Sequence, residues 1–271
     1  MQSAALQQDP TPAVAAGREL AVGRVISTTF SVWSKHLLLF AVLSVVAMLP
    51  MVLGAILGGT AIPGLTSPAA ANPLRPVEPH MGAIGPFIIG ALVTGLLFFV
   101  EVGAITHGVI QHLAGKTVSL GGMLNTGLRR FVPLLLVGLG SYFLVLFGML
   151  LLFVPGVFLA CALAVALPAV VAEEIGAGAA IGRSFRLTKS NRLRIFAIFL
   201  VLMLASLAVN TVGNFVLPRL TPFAPMVGTV IGLIINLLFG TLIWVAPSVV
   251  YQDLRRAKEG TSTAELAQVF E

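Results

Sequence analysis

Residues 20–59 read LAVGRVISTTFSVWSKHLLLFAVLSVVAMLPMVLGAILGG, and the contrast between their two halves decides the fold. Residues 37–59 form an apolar run with no charged side chain. A bilayer core needs about 20 apolar residues wound as helix, so this run reads as a transmembrane helix, with Pro50 bending its outer half. The stretch before it is of another kind. Val22, Val25, Ile26, Phe30 and Trp33 recur at helical spacing, with Arg24 and Lys35 among the polar residues between them. A basic helix with aromatics on its apolar side lies well in the headgroup region.

Five more apolar runs follow, at about 84–113, 131–154, 157–171, 195–216 and 226–251. The fourth is short and follows the third across Val154-Pro155-Gly156-Val157. Proline cannot continue a helix and glycine permits a reversal, so two antiparallel spans joined by a tight turn are expected there. The count is six. The whole chain agrees with this: 271 residues, 58% hydrophobic and 10% charged, against about 25% charged in a soluble domain. That excludes a soluble enzyme, a disordered chain and a coiled coil. One Cys permits neither an internal disulfide nor a cysteine metal cluster.

Lys and Arg set the expected orientation. Arg18, Arg24, Lys35, Lys116, Arg129, Arg130, Arg183, Arg186, Lys189, Arg192, Arg194, Arg255, Arg256 and Lys258 fall in one alternate set of connecting segments. The other set has only Arg75 and Arg219. Both termini are therefore expected in the cytoplasm, with a disordered tail over 1–17, a six-span membrane domain over 18–258 and a cytoplasmic tail over 259–271. Residues 1–17 lack the apolar core of a signal peptide. Residues 60–82, with five prolines, read as an irregular external loop. The net charge of +6 is accounted for by the cytoplasmic face, so nucleic acid is not an expected partner; membrane lipids are, with other membrane proteins or a second copy as further candidates.

A repeat is visible. Segments 20–35, 118–130 and 179–192 are each polar on one side and apolar on the other, and each precedes an odd-numbered span. Gly23-Arg24, Gly121-Gly122 and Gly182-Arg183 recur within them, and Ser119 is a fitting N-cap for the second. Residues 167–174 (LPAVVAEE) rhyme with 246–253 (APSVVYQD), and 263–270 (TAELAQVF) could open a fourth, truncated unit. The pattern is an interfacial helix, a span and a return span, three times in parallel about the membrane normal. Against it stands the plainer reading that any positive-inside protein has basic segments before its odd spans. The long first external loop also breaks a strict period.

The third unit carries a family resemblance. Residues 153–158 (FVPGVF), 166–174 (ALPAVVAEE) and 180–195 (AIGRSFRLTKSNRLRI), with 22–30 (VGRVISTTF) and 250–256 (VYQDLRR), resemble the glycerophosphoryl diester phosphodiesterase membrane-domain family of bacterial multi-pass proteins. The similarity spans roughly 18–258 and is sharpest over 153–196, with Phe185 where a tryptophan is common. It implies a six-span fold in a bacterial cytoplasmic (inner) membrane. It does not imply hydrolysis, because no His, Glu and Asp cluster of the fused catalytic domain accompanies these residues.

Few side chains suggest chemistry. Glu101 stands in LFFVEVGAI, and a carboxylate at the centre of a span costs about 2.5–3.5 kcal/mol. It is either part of a proton, cation or headgroup site, or a hydrogen-bonded group near the inner boundary. Asn210, Asn214 and Asn236 fit interhelical hydrogen bonding better than substrate binding. Gly54-x-x-x-Gly58 and Gly228-x-x-x-Gly232 permit close helix approach, but 28 glycines make such matches common. His107 and His112 lie about 140° apart around a helix, poor geometry for a shared metal. Cys161 reads as a small hydrophobe. No catalytic residue and no cofactor is expected. Arg183, Arg186, Lys189, Arg192 and Arg194 are the candidates for gripping anionic headgroups, each contributing about 1 kcal/mol near the surface. The expected function is a non-catalytic, lipid-interacting module with a structural or scaffold role; the alternative is a transporter or lipid-translocating protein with Glu101 in a polar path.

Overall fold

A computed structural model describes residues 20–58, 81–213 and 225–259. Among them the chain is helical without a strand, and six helical segments are long and apolar enough to cross a membrane. The protein is an all-α, multi-pass membrane protein. The expectations for 1–17, most of 60–82, Asn214 and 263–270 lie outside the described residues.

The helices are α1 Val22–Lys35, α2 Leu37–Leu57, α3 Met81–Leu113, α4 Leu120–Arg129, α5 Phe131–Leu151, α6 Phe153–Leu163, α7 Ala166–Glu173, α8 Ala177–Thr188, α9 Arg192–Thr211 and α10 Pro225–Glu259. The amphipathic segments are thus α1, α4 and α8. Ser119 caps α4 as its sequence suggests, its hydroxyl accepting from the Gly122 N–H at 3.3 Å. Helix α3 ends where Gly115 takes φ +71°, with its N–H on the His112 carbonyl and that of Lys116 on Gln111, a Schellman closure.

Two boundaries differ from the sequence expectation. The turn between the third and fourth spans is not at Pro155-Gly156. It is made by Leu152 alone, in extended conformation (φ −163°, ψ 145°), and α6 begins at Phe153. Pro155 is accommodated in the first turn of α6, where an N–H would have no intrahelical acceptor. Gly156 serves packing instead: a Cβ on Gly148 of α5 would lie 3.0 Å from its Cα. The second difference is at the other end of the chain. Helix α10 continues through Arg255, Arg256 and Lys258 to Glu259, so Glu259 is a structural residue and not the start of a tail.

The six spans pair into three hairpins, α2/α3, α5/α6–α7 and α9/α10. Each is drawn together at glycines. Gly54 faces Gly90, Gly148 faces Gly156 and Gly213 faces Gly232, close enough that an added Cβ at Gly54 would collide with the Pro86 carbonyl oxygen. Without a hydrophobic driving force between helices in lipid, such backbone approach is what lets van der Waals contact hold a pair.

The amphipathic helices join the hairpins, and they do so in one way three times. Each packs on the last helix of the preceding unit. On α3 lies α4, with Thr126 hydrogen-bonded to His107 Nδ1 (3.1 Å) and Gly127 against the Val100 carbonyl. On α6–α7 lies α8: Ser184 and Thr188 donate to the Ala162 carbonyl (2.7 and 3.2 Å), and Arg183 pairs with Glu173. On α10 lies α1, where Trp33 Nε1 donates to the Leu238 carbonyl and to Thr241 Oγ1, and Arg24 pairs with Asp253 at 2.9 Å. The last contact closes the chain of units into a ring. Much of the core gathers along these contacts, with Val25, Ile105, Met123, Ala169, Leu187, Val250 and Leu254 at or near zero exposure.

Candidate functional site

The basic side chains of the α8–α9 junction meet the end of α10 and divide into two groups. Arg183 is turned into the protein. Its Nε lies 2.7 Å from Glu173 and its Nη2 2.5 Å from Glu259, and Arg255 reaches Glu259 from the next turn of α10 at 3.2 Å. Tyr251 completes the cluster by donating to Glu173 at 2.6 Å. Burial alone would push the Arg183 guanidinium down; the hydrogen bonds and charges of Glu173 and Glu259 outweigh it and hold the group above its ordinary range.

The second group surrounds the end of α8. Lys258 Nζ donates to the carbonyls of Arg186 and Lys189 at 2.9 and 2.7 Å, filling two acceptors that a helix C-terminus leaves open. Arg186 and Lys189 themselves are exposed. Arg192, in the first turn of α9, lies with its guanidinium 4.0 Å from the centre of the Phe158 ring and 5.7 Å from that of Phe185. Its Nε is buried with no acceptor among the described residues. Arg194 is half-buried on α9. The five candidates therefore lie within one region, but Arg183 is engaged by carboxylates while Arg186 and Lys189 face outward.

Glu101 accepts a hydrogen bond from Ser44 of α2, and α4 covers it: Leu120 and Leu124 line a small cavity with Val42, Leu97 and Glu101. Asn210 and Asn236 donate to carbonyls of their own helices, Ser206 and Gly232, and Asn236 also lies beside Gly213. Glu101 thus belongs to the α2–α3–α4 contact and Asn236 to the α9–α10 contact. Neither asparagine lines a described cavity.

Three arrangements were not anticipated. The rings of His36 and His112 meet at 3.0 Å, joining the α1–α2 junction to the end of α3. Burial, then the neighbouring charges of His112 and Lys35, keep His36 below its ordinary value. Glu174 pairs with Arg130. A cavity of about 830 Å³ opens between α3, α5, α6, α9 and α10, walled by apolar and aromatic side chains. A sequence signal existed only for the last: Ala and Gly are frequent in 156–169, where they leave room between helices. Among the described residues no three of His, Cys, Asp and Glu gather as metal ligands.

Compared with protein-family models, with curated proteins and with solved structures, the chain matches none.

Proposed function

We propose that the chain is a non-catalytic module of a bacterial cytoplasmic membrane that holds anionic phospholipid at its basic end and serves a structural or scaffold role there. Both termini lie on that side in this reading, and the chain is a relative of the membrane-domain family that residues 153–196 resemble. The observation that carries the reading is the cationic cluster of Arg186, Lys189, Arg192 and Lys258, of which Arg186 and Lys189 are exposed. Exposed cations next to a membrane surface attract anionic headgroups by about 1 kcal/mol each.

Non-catalytic is part of the proposal for a positive reason. Each described carboxylate already has a structural partner: Glu101 with Ser44, Glu173 and Glu259 with Arg183, Glu174 with Arg130, and Asp253 with Arg24. A polar transport path would need Glu101 and the asparagines on one cavity, and Glu101 and Asn236 belong to different helix contacts.

Thermal unfolding of the detergent-purified protein tests this. Phosphatidylglycerol should raise Tm more than phosphatidylcholine, salt should erase the difference, and Arg186→Gln/Lys189→Gln should lose it. Equal shifts from the two lipids would refute the reading.

A further inference from the structure

The 830 Å³ cavity is a groove, open to the surroundings of the bundle: Tyr142 in its wall is 62% exposed and Phe196 40%. Phe98, Phe199 and Trp244 form much of the rest, so its chemistry is that of an acyl chain. Its size falls within the range of about 300–1,000 Å³ found for sites that enclose small ligands. The hydroxyls of Thr106 and Ser141 are among the few polar groups of the lining, and Arg192 lies next to the lining, one turn before Phe196. Ser141 lines the groove with its hydroxyl buried and unpartnered among the described residues. Arg192 stands at one end. Phe196, one helical turn further along α9, lines the groove, and the Arg192 guanidinium stacks on Phe158 of α6. Arg192 has no carboxylate partner among the described residues and its Nε has no acceptor. Lys258 is near enough to add its field to it.

A buried N–H without an acceptor, as at Arg192 Nε, is costly, and a guanidinium is shaped to grip a phosphate through two parallel N–H donors. We infer that this groove binds one anionic phospholipid from the surrounding bilayer, with its phosphate on Arg192 and an acyl chain along Phe98, Tyr142, Phe196 and Trp244. The Ser141 hydroxyl gives a donor within the groove for an ester carbonyl. The inference rests on the proposed lipid-interacting role and makes it specific: one defined molecule in a groove, beside the diffuse attraction of Arg186 and Lys189.

Native mass spectrometry after purification from nanodiscs of equal phosphatidylglycerol and phosphatidylcholine tests it. The intact protein should retain one phosphatidylglycerol per chain. Arg192→Gln should lower that retention about five-fold, the loss of one headgroup cation, and Arg192→Lys should restore part of it. Gly95→Phe fills the groove from a position where an added Cβ meets nothing within 4 Å; it should abolish retention while leaving the cationic end intact. Arg186→Gln/Lys189→Gln should keep the retained lipid and weaken only the salt-sensitive Tm shift. Retention without that shift would remove the diffuse attraction and leave the groove standing. The inference falls if no lipid is retained, if phosphatidylcholine is retained equally, if Gly95→Phe retains as much as the unmodified chain, or if Arg186→Gln/Lys189→Gln alone strips the lipid.

Discussion

Helices α5 and α6–α7 run beside each other as one hairpin, span 21 residues each and have the same mean hydropathy, yet 17% of the apolar window of α5 is buried against 56% for α6–α7. Side-chain size explains the difference. Helix α5 is dominated by Leu, Phe, Val and Tyr, and residues such as Phe147 and Leu150 project outward. The α6–α7 segment carries Gly156, Ala160, Cys161, Ala162, Ala164, Ala166 and Ala169. These small residues let α8 come close enough for Ser184 and Thr188 to reach the Ala162 carbonyl, and they let α7 pack on α3. Hydropathy alone therefore says that a segment crosses the membrane; the size of its apolar residues says whether it faces lipid or protein.

The sharpest way to break this comparison is to exchange sizes across it. Ala162→Phe places a large ring at a fully buried position and should cost about 3 kcal/mol or more. Leu150→Ala at the 80% exposed end of α5 should stay within about 0.5 kcal/mol. Reversible unfolding in mixed micelles reads both, and equal effects would remove the distinction. Glu173→Gln acts on the polar side of the same contact. It removes one of the two negative charges on Arg183 while Glu259 remains, and it leaves an amide oxygen to accept from Tyr251, so the expected loss is about 1 kcal/mol. An unchanged midpoint would mean the cluster is incidental.

Two further effects ask whether the other units follow the same plan. Ser119→Ala removes the only side-chain cap seen on the amphipathic helices and should cost about 1 kcal/mol, with faster amide exchange confined to α4. The smallest effect concerns His36. Its folded value is lowered from 6.5, so the folded state favours the neutral ring. Its contribution to stability is then full above 6.5 and is lost as pH falls through the lowered value. His36→Gln should flatten the fall of Tm below pH 6.5, whereas an unchanged pH profile would show that the His36–His112 contact does not matter to stability.

The sequence made the six spans legible because most are apolar runs of bilayer length with no charge but Glu101, and the amphipathic helices legible because Val25, Phe30 and Trp33 keep helical spacing. Ser119 announced its own cap. What could not be read is where the amphipathic helices dock, because Trp33 and Thr241 are 208 residues apart and no local pattern links them. The glycine motifs were weak as patterns, yet Gly54 and Gly232 prove to be contact points, since only the fold says which glycines face a partner helix. Arg183 and Arg192 looked alike as members of one basic run. The two carboxylates that distinguish Arg183 come from α7 and α10, and Glu259 was read as part of a tail.

The central claim is that three like units close into a ring, with α1 of the first laid on α10 of the last. Short bismaleimide cross-linking tests it most directly, in protein with Cys161→Ala and with Arg24→Cys combined with Asp253→Cys. The account predicts an intramolecular bridge joining the peptides that contain positions 24 and 253, and none when Arg24→Cys is combined instead with Glu174→Cys. A ring that does not close would leave 24 and 253 unbridged, or would bridge 24 to 174.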